Sequence, residues 1–449
     1  GRFIGFIKNL LNYIEEASFT YQGQFIPEAY RQYIRTLERI GKFNDGENRI
    51  DILVIKLQKE TSLERARTMQ RNFVAWYLNG SRGGELKDAA LAAFVSPNEE
   101  DWRFSLVKMD YRFEEGKGGR VKVKEEFTPA RRWSFLVGAN ENSHTAQSKL
   151  YPIIADDEHD PALAELEEAF NIEKVTKEFF EKYRDLFLWT KEILDEVVSG
   201  DKKIKAEFEN KGINTVDFAK KLLGQIVFLY FLQKKGWFGV GRDAEWGTGS
   251  KHFLRELFKK KHSDYKNFFN DILEPLFYEA LRVGEERKQD DYYYSRFNCK
   301  IPFLNGGLFD PINGYDWVKT DILLPNELFS NSFKTKEGDT GNGILDIFDR
   351  YNFTVKEDEP LEKEVAVDPE MLGKVFENLL EVKDRKSKGT YYTPREIVHY
   401  MCQQSLIYYL YSALNEDMNS VMAENFPSSV IPARRESFLK KDAGQAGMT

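Results

Sequence analysis

The chain has 449 residues, 41% hydrophobic and 14% aromatic, which excludes a disordered polymer and leaves room for roughly two to four packed domains. Its net charge of −8 excludes a protein that coats nucleic acid indiscriminately, although residues 1–150 hold 24 Lys+Arg against 20 Asp+Glu and are locally basic. Two cysteines, Cys299 and Cys402, exclude a disulfide framework, and the apolar run from Leu222 to Leu232 is too short to span a bilayer. With no leader sequence evident, the expected setting is the cytoplasm, with no membrane partner.

In chain order, Ile50 to Leu57 is a branched-aliphatic run that predicts a buried strand. Ser62 is placed to cap a following helix, on which Leu63, Ala66, Phe73, Val74 and Tyr77 lie close to one stripe. Arg67 and Arg71 share a face of that helix at i, i+4 spacing, a candidate phosphate-binding face. Trp102 to Tyr111 predicts a second strand. A turn at Gly116–Gly119 leads to the alternating segment Arg120–Lys124, and Trp133–Val137 reads as a further strand. Lys122, Lys124, Arg131 and Arg132, beside Trp133, form a second basic candidate surface for DNA.

From about residue 152 the pattern becomes helical, with helices opening at Asp160-Pro161, spanning Lys174 to Val198, and running from Asp217 to Lys235 before Gly236. Between 290 and 360, turn signals at Asn305-Gly306-Gly307, Asp310-Pro311, Pro325-Asn326 and Gly338–Gly343 predict loops and short strands. The fold class expected is therefore mixed α and β with several domains. Residues 1–151 form an α/β domain, 152–360 a mainly helical connector with a loop-rich second half, and 361–449 the start of a further domain.

That last region carries the sharpest local signal, Lys388-Gly389-Thr390-Tyr391-Tyr392-Thr393-Pro394-Arg395-Glu396. Thr393 suits an N-cap, Pro394 the first helical position and Glu396 the third, so a capped helix should begin here. Its amino end offers backbone N–H donors and a partial positive charge to a carboxylate or phosphate.

Together with Leu372-Gly373-Lys374-Val375-Phe376-Glu377-Asn378-Leu379-Leu380, this segment resembles the entry to the class I methyltransferase domain of adenine-specific DNA methyltransferases, above all the large type IIG restriction–modification and related phage-defence enzymes. Arg65–Phe73, Phe170–Phe180, Pro302–Phe309 and Tyr351–Val355 extend the resemblance along most of the chain. It implies that Thr390, Tyr391, Tyr392, Thr393 and Pro394 form one wall of an S-adenosylmethionine pocket, contacting the methionine end of the cofactor. The partner implied is double-stranded DNA. The family's glycine-rich cofactor loop and its Asn-Pro-Pro-Tyr-like loop, which holds a flipped adenine, are absent from these residues. The expectation is an amino-terminal portion of a longer enzyme, inactive as a methylase by itself.

In that family a Mg²⁺-dependent nuclease often precedes the methylase. Such a site needs two acidic groups on the metal and a lysine near the attacking water. Asp51, Lys56 and Asp110 are the candidates here, without the usual Asp/Glu-x-Lys spacing, so the first domain is either an active nuclease or a degenerate nuclease-like one. A third reading is a non-catalytic scaffold that binds DNA or a partner subunit. His144 and His399 have no ligand-spaced partners and read as structural.

Overall fold

The computed structural model describes residues 2–59, 61–63, 67–80, 84–111, 113–115, 121–123, 130–283, 285–304, 306–354, 361–367, 369, 393 and 395–414. The chain divides into two compact units, residues 1–372 and 373–449. The mixed α and β class is borne out.

The first unit opens with helix α1 (Arg2–Leu11), the single-turn helix α2 (Glu28–Arg31) and a seven-stranded sheet in the order β1-β2-β3-β4-β5-β8-β11. The strands are β1 (Phe19–Gln22), β2 (Ile34–Asn44), β3 (Arg49–Leu57), β4 (Ala89–Val95), β5 (Trp102–Met109), β8 (Ala130–Val137) and β11 (Glu362–Glu364). A separate ribbon pairs β6 (Phe113–Glu115) with β7 (Val121–Val123). The neighbours β3–β4 and β8–β11 are parallel, and the other pairs in the large sheet are antiparallel. Parallel pairing needs a crossover. Between β3 and β4 that crossover is helix α3 (Arg67–Leu78), whose Phe73, Val74, Tyr77 and Leu78 pack on Leu53, Ile55 and Leu57 of β3. The opposite sheet face is aromatic. Phe104 and Phe135 meet Phe6 of α1 and Phe170, with ring centroids 4.7–5.5 Å apart.

Beyond the sheet come α4 (His144–Ile154), α5 (Leu163–Ala169), α6 (Ile172–Gly200), α7 (Lys202–Lys211) and α8 (Thr215–Lys234). Their starts follow side-chain chemistry. Asn171, Asp201 and Asn214 each accept a hydrogen bond from a backbone N–H in the first turn of α6, α7 and α8. Helix α8 is buried nearly all round, which explains its unbroken apolar run from Leu222. It ends before Gly236, at φ +68°, where a Cβ would lie 2.3 Å from the Gly247 carbonyl oxygen.

The loop-rich region holds α9 (Phe253–Phe258), the small pair β9 (Tyr293–Tyr294) and β10 (Cys299–Lys300), α10 (Asn326–Phe329) and α11 (Ile344–Phe348). It also holds something the sequence reading did not anticipate, a π-helical stretch over Phe269–Leu273 and Pro275–Leu281. The Glu274 N–H reaches back five residues to the Phe269 carbonyl. Strand β11 lies past residue 360, yet it is hydrogen-bonded into the amino-terminal sheet. In the second unit the described structure is helix α12 (Arg395–Leu414), whose side chains from Ile397 to Leu410 are mostly exposed.

Glu274, inside the π-helical stretch, is fully buried. Its Oε1 accepts a 2.6 Å hydrogen bond from the Tyr315 hydroxyl, while Oε2 has no partner. Burial pushes this carboxyl up to about 9, and the Tyr315 bond offsets that only in part. A carboxyl that holds its proton in the folded state but releases it near pH 4.3 when unfolded stabilises the fold fully below about pH 4.3. That contribution is lost as pH climbs towards the folded value. Glu274→Gln should therefore show a shallower fall in Tm than the parent between about pH 5 and pH 8, and a higher Tm at the alkaline end. Parallel Tm–pH curves for the two proteins would show that another group titrates.

Candidate functional site

Strand alternation sorts the polar residues of the sheet. On β3, Asp51 projects to the same face as Leu53, Ile55 and Leu57, towards α3. There its carboxylate accepts a hydrogen bond from the Tyr77 hydroxyl, and Arg39 of β2 lies 3.5 Å away. The Lys87 ammonium sits 4.8 Å above the Tyr77 ring. Burial lowers the Lys87 pKa, with nearby Asp51 acting against it. Burial and then Asp51 push the Tyr77 hydroxyl well above its ordinary range. One buried carboxylate is thus held by a phenol and a guanidinium, beside a half-desolvated lysine.

The nuclease candidates do not converge on this cluster. Lys56 is an odd number of residues from Asp51, so it lies on the opposite face, paired with Glu38 at 2.7 Å. Asp110 is exposed beyond the end of β5 and lies 3.5 Å from Arg131. Among the described residues no group of three or more His, Cys, Asp or Glu side chains is arranged to hold a metal ion. Lys87 was missed by sequence reading. The parallel register Asp51↔Ala90 brings the approach to β4 beside the start of β3, a pairing that a linear pattern does not reveal.

A second polar cluster lies on the same sheet face, towards β11. Register places Arg103 of β5, Arg132 and Ser134 of β8, and Glu362 and Glu364 of β11 under the first turns of α3. The Arg67 Nε donates to Glu362 at 2.7 Å, and its guanidinium lies 3.7 Å from Glu364. Arg103 donates to Glu364 at 2.9 Å and to the Ser134 hydroxyl at 3.0 Å. Arg132 donates to Glu362 and, at 3.3 Å, to Gln70 Oε1. Arg103 and Arg132 are fully buried. Burial lowers the Arg132 pKa to about 10 despite Glu362. Burial alone would raise the Glu362 carboxyl, but Arg132 and Arg67 hold it below its ordinary value.

These placements revise the basic surfaces read from sequence. Arg67 and Arg132 are committed to internal ion pairs, and Arg71 is buried beside them with its guanidinium in hydrogen-bonding distance of Asn72. They do not present a face to solvent. Arg131 does, with Asp110 as its neighbour. Lys122 lies on β7 in the ribbon, and Lys124 falls outside the described residues. So do Thr390, Tyr391, Tyr392 and Pro394 of the carboxy-terminal segment. Thr393 is exposed, and the helix expected after it is present as α12. The His144 ring lies 3.2 Å from Asp339 Oδ1 on a helix that packs inside the first unit. His399 is exposed on α12.

Over 257 residues, 52% of this chain, the sequence is 29% identical to a protein of Methanocaldococcus jannaschii named "Putative type II restriction enzyme and methyltransferase". The match spans 19% of that protein's length. No family model matches the chain, and no solved structure matches it. The similarity bears out, at the level of restriction–modification proteins, the resemblance carried by the sequence motifs. No helix among the described residues is long and apolar enough to cross a membrane.

The ion network makes a quantitative demand. Glu362→Gln leaves the buried Arg132 guanidinium without its carboxylate and should cost roughly 3–5 kcal/mol in urea denaturation at neutral pH. Because the folded Glu362 pKa is depressed, its contribution is present above about pH 4.3 and disappears as pH falls through the folded value. The parent should accordingly lose more stability on acidification than the variant does. Equal urea midpoints at neutral pH would mean that the carboxylate contributes nothing net.

Proposed function

We propose that this chain is the amino-terminal portion of a type IIG-like DNA modification enzyme, which methylates N6 of adenine in double-stranded DNA as part of phage defence in a bacterial or archaeal cytoplasm. The similarity to a restriction and methyltransferase protein over half of the chain carries this reading. The Gly389–Glu396 segment supports it from within the chain, because it pairs a helix start with two tyrosines. S-adenosylmethionine would supply the methyl group, with Thr390, Tyr391, Tyr392, Thr393 and Pro394 holding its methionine end.

The part of this reading that belongs to residues 1–372 is positioning rather than cleavage. The carboxylates of their two buried polar clusters are taken up by internal cations, and the metal chemistry of a nuclease would need acidic groups that the described residues do not bring together. Arg131 and Lys122 remain the candidates for contact with the DNA backbone.

The test uses the longer enzyme, radiolabelled S-adenosylmethionine and duplex DNA. Label should appear in N6-methyladenine after digestion to nucleosides. Label in methylcytosine would refute the assigned target, and no transfer under any duplex would refute the enzyme class. Tyr392→Ala should raise the KM for the cofactor roughly tenfold, as loss of one apolar wall of about 1–2 kcal/mol implies, while duplex affinity stays unchanged.

A further inference from the structure

A cleft of about 590 Å³ opens in the helical part of the first unit, between Lys221 of α8, Arg282 at the end of the π-helical stretch, and the loop from Asp310 to Trp317. It adjoins the Pro302–Phe309 motif, to which the methyltransferase reading gives no task. The Lys221 ammonium donates to the Gly307 carbonyl at 3.1 Å, and Gln225 one turn on donates to the Leu308 carbonyl at 2.9 Å, so α8 holds the motif in place. Lys221 is half-buried, and desolvation lowers its pKa while nearby Asp310 acts against it. Arg282 Nε donates to Asp310 Oδ1 at 2.5 Å. Two cations thus line one side of the cleft, Arg282 paired with Asp310 and Lys221 bonded to a backbone carbonyl. Asp316 is neutralised separately by Lys319 at 2.8 Å.

The other side is aromatic. Trp317, partly exposed, packs on Tyr278 with ring centroids 5.9 Å apart, and Tyr278 packs edge-on against Tyr315 at 5.8 Å. The Tyr315 hydroxyl is anchored inward on Glu274, so its ring is fixed behind the cleft. Glu207 closes the far end of the loop, accepting from the Asp316 N–H at 3.0 Å. A partly solvated indole on a rigid aromatic base, beside an Arg282 guanidinium and a Lys221 ammonium whose hydrogen bond goes to a backbone carbonyl, combines a stacking surface with a phosphate partner. Those two features together recognise unpaired nucleotides. A π-helical stretch, which is uncommon and concentrates at functional sites, forms the wall behind them.

We propose that this cleft binds one unpaired nucleotide of single-stranded DNA, its base stacked on Trp317 and its phosphate at Lys221 and Arg282, with Asp310 orienting Arg282. The inference rests on the DNA-modification reading for its choice of nucleic acid, but it concerns residues of the first unit, none of which is proposed for the cofactor.

The experiment measures fluorescence anisotropy of a labelled 12-nucleotide single strand, and of a duplex of the same sequence, titrated with the full 449-residue chain. Trp317→Ala should weaken single-strand binding roughly tenfold, as loss of one stacked base implies, and Trp317→Phe should restore most of it. Lys221→Ala should reduce the slope of log affinity against log salt by about 0.7, the loss of one phosphate contact on a single strand. Thermal melts of the variants check that the fold is kept. Single-strand affinity unchanged by Trp317→Ala, or lost equally for strand and duplex, would overturn the cleft assignment. Duplex binding without single-strand binding would also overturn it while leaving the modification reading standing. Trp317-dependent strand binding by a chain whose longer enzyme transfers no methyl group would do the reverse.

Discussion

The amino-terminal sheet depends on a charge balance that crosses most of the chain. Glu362 and Glu364, on a strand of three residues, pair with Arg67, Arg103 and Arg132 beneath α3. Burying a guanidinium without a counter-charge costs several kcal/mol, more than a short edge strand could offset with its own hydrogen bonds. So the strand and the arginines need each other. The sheet edge, the seating of α3 on β5 and β8, and through α3 the walls of the Asp51 cluster all follow from that pairing. The same commitment removes these arginines from any surface role.

Much of the fold was legible in sequence where pattern and burial agree. Strand β3 appeared where the aliphatic run placed it, the Phe73, Val74 and Tyr77 stripe lies on α3, and α6 and α8 begin at Asn caps. Strand β4 was hidden. Ala89-Ala90-Leu91-Ala92-Ala93 has helical propensity, and it is a strand because β3 and β5 flank it and all five residues are buried. Strand β2 was hidden for the opposite reason, since Arg35, Glu38 and Arg39 interrupt its apolar alternation. The π-helical stretch has no sequence rule to announce it.

The candidate site divides in the same way. The helix after Thr393 was legible because capping is a local code. Arg67 and Arg71 were read as a candidate phosphate-binding face because cations at i, i+4 share one side of a helix. Their burial depends on carboxylates almost 300 residues later, at positions that appear in sequence only as an acidic run. Asp51 was identified as a candidate, but its partners Arg39, Tyr77 and Lys87 come from a hairpin neighbour, a crossover helix and a parallel strand, none of them adjacent to it in sequence.

The distance along the chain between Arg132 and Glu362, 230 residues, has a consequence for the order of events during synthesis. At about 5–20 residues per second, the ribosome delivers the missing strand on the order of tens of seconds after the rest of the sheet has emerged. Through that interval the sheet has an unpaired parallel edge with buried arginines and no anions to meet them. Such an edge is a template for misassociation. The nascent chain is therefore most exposed to error at the place where the finished protein is most tightly closed.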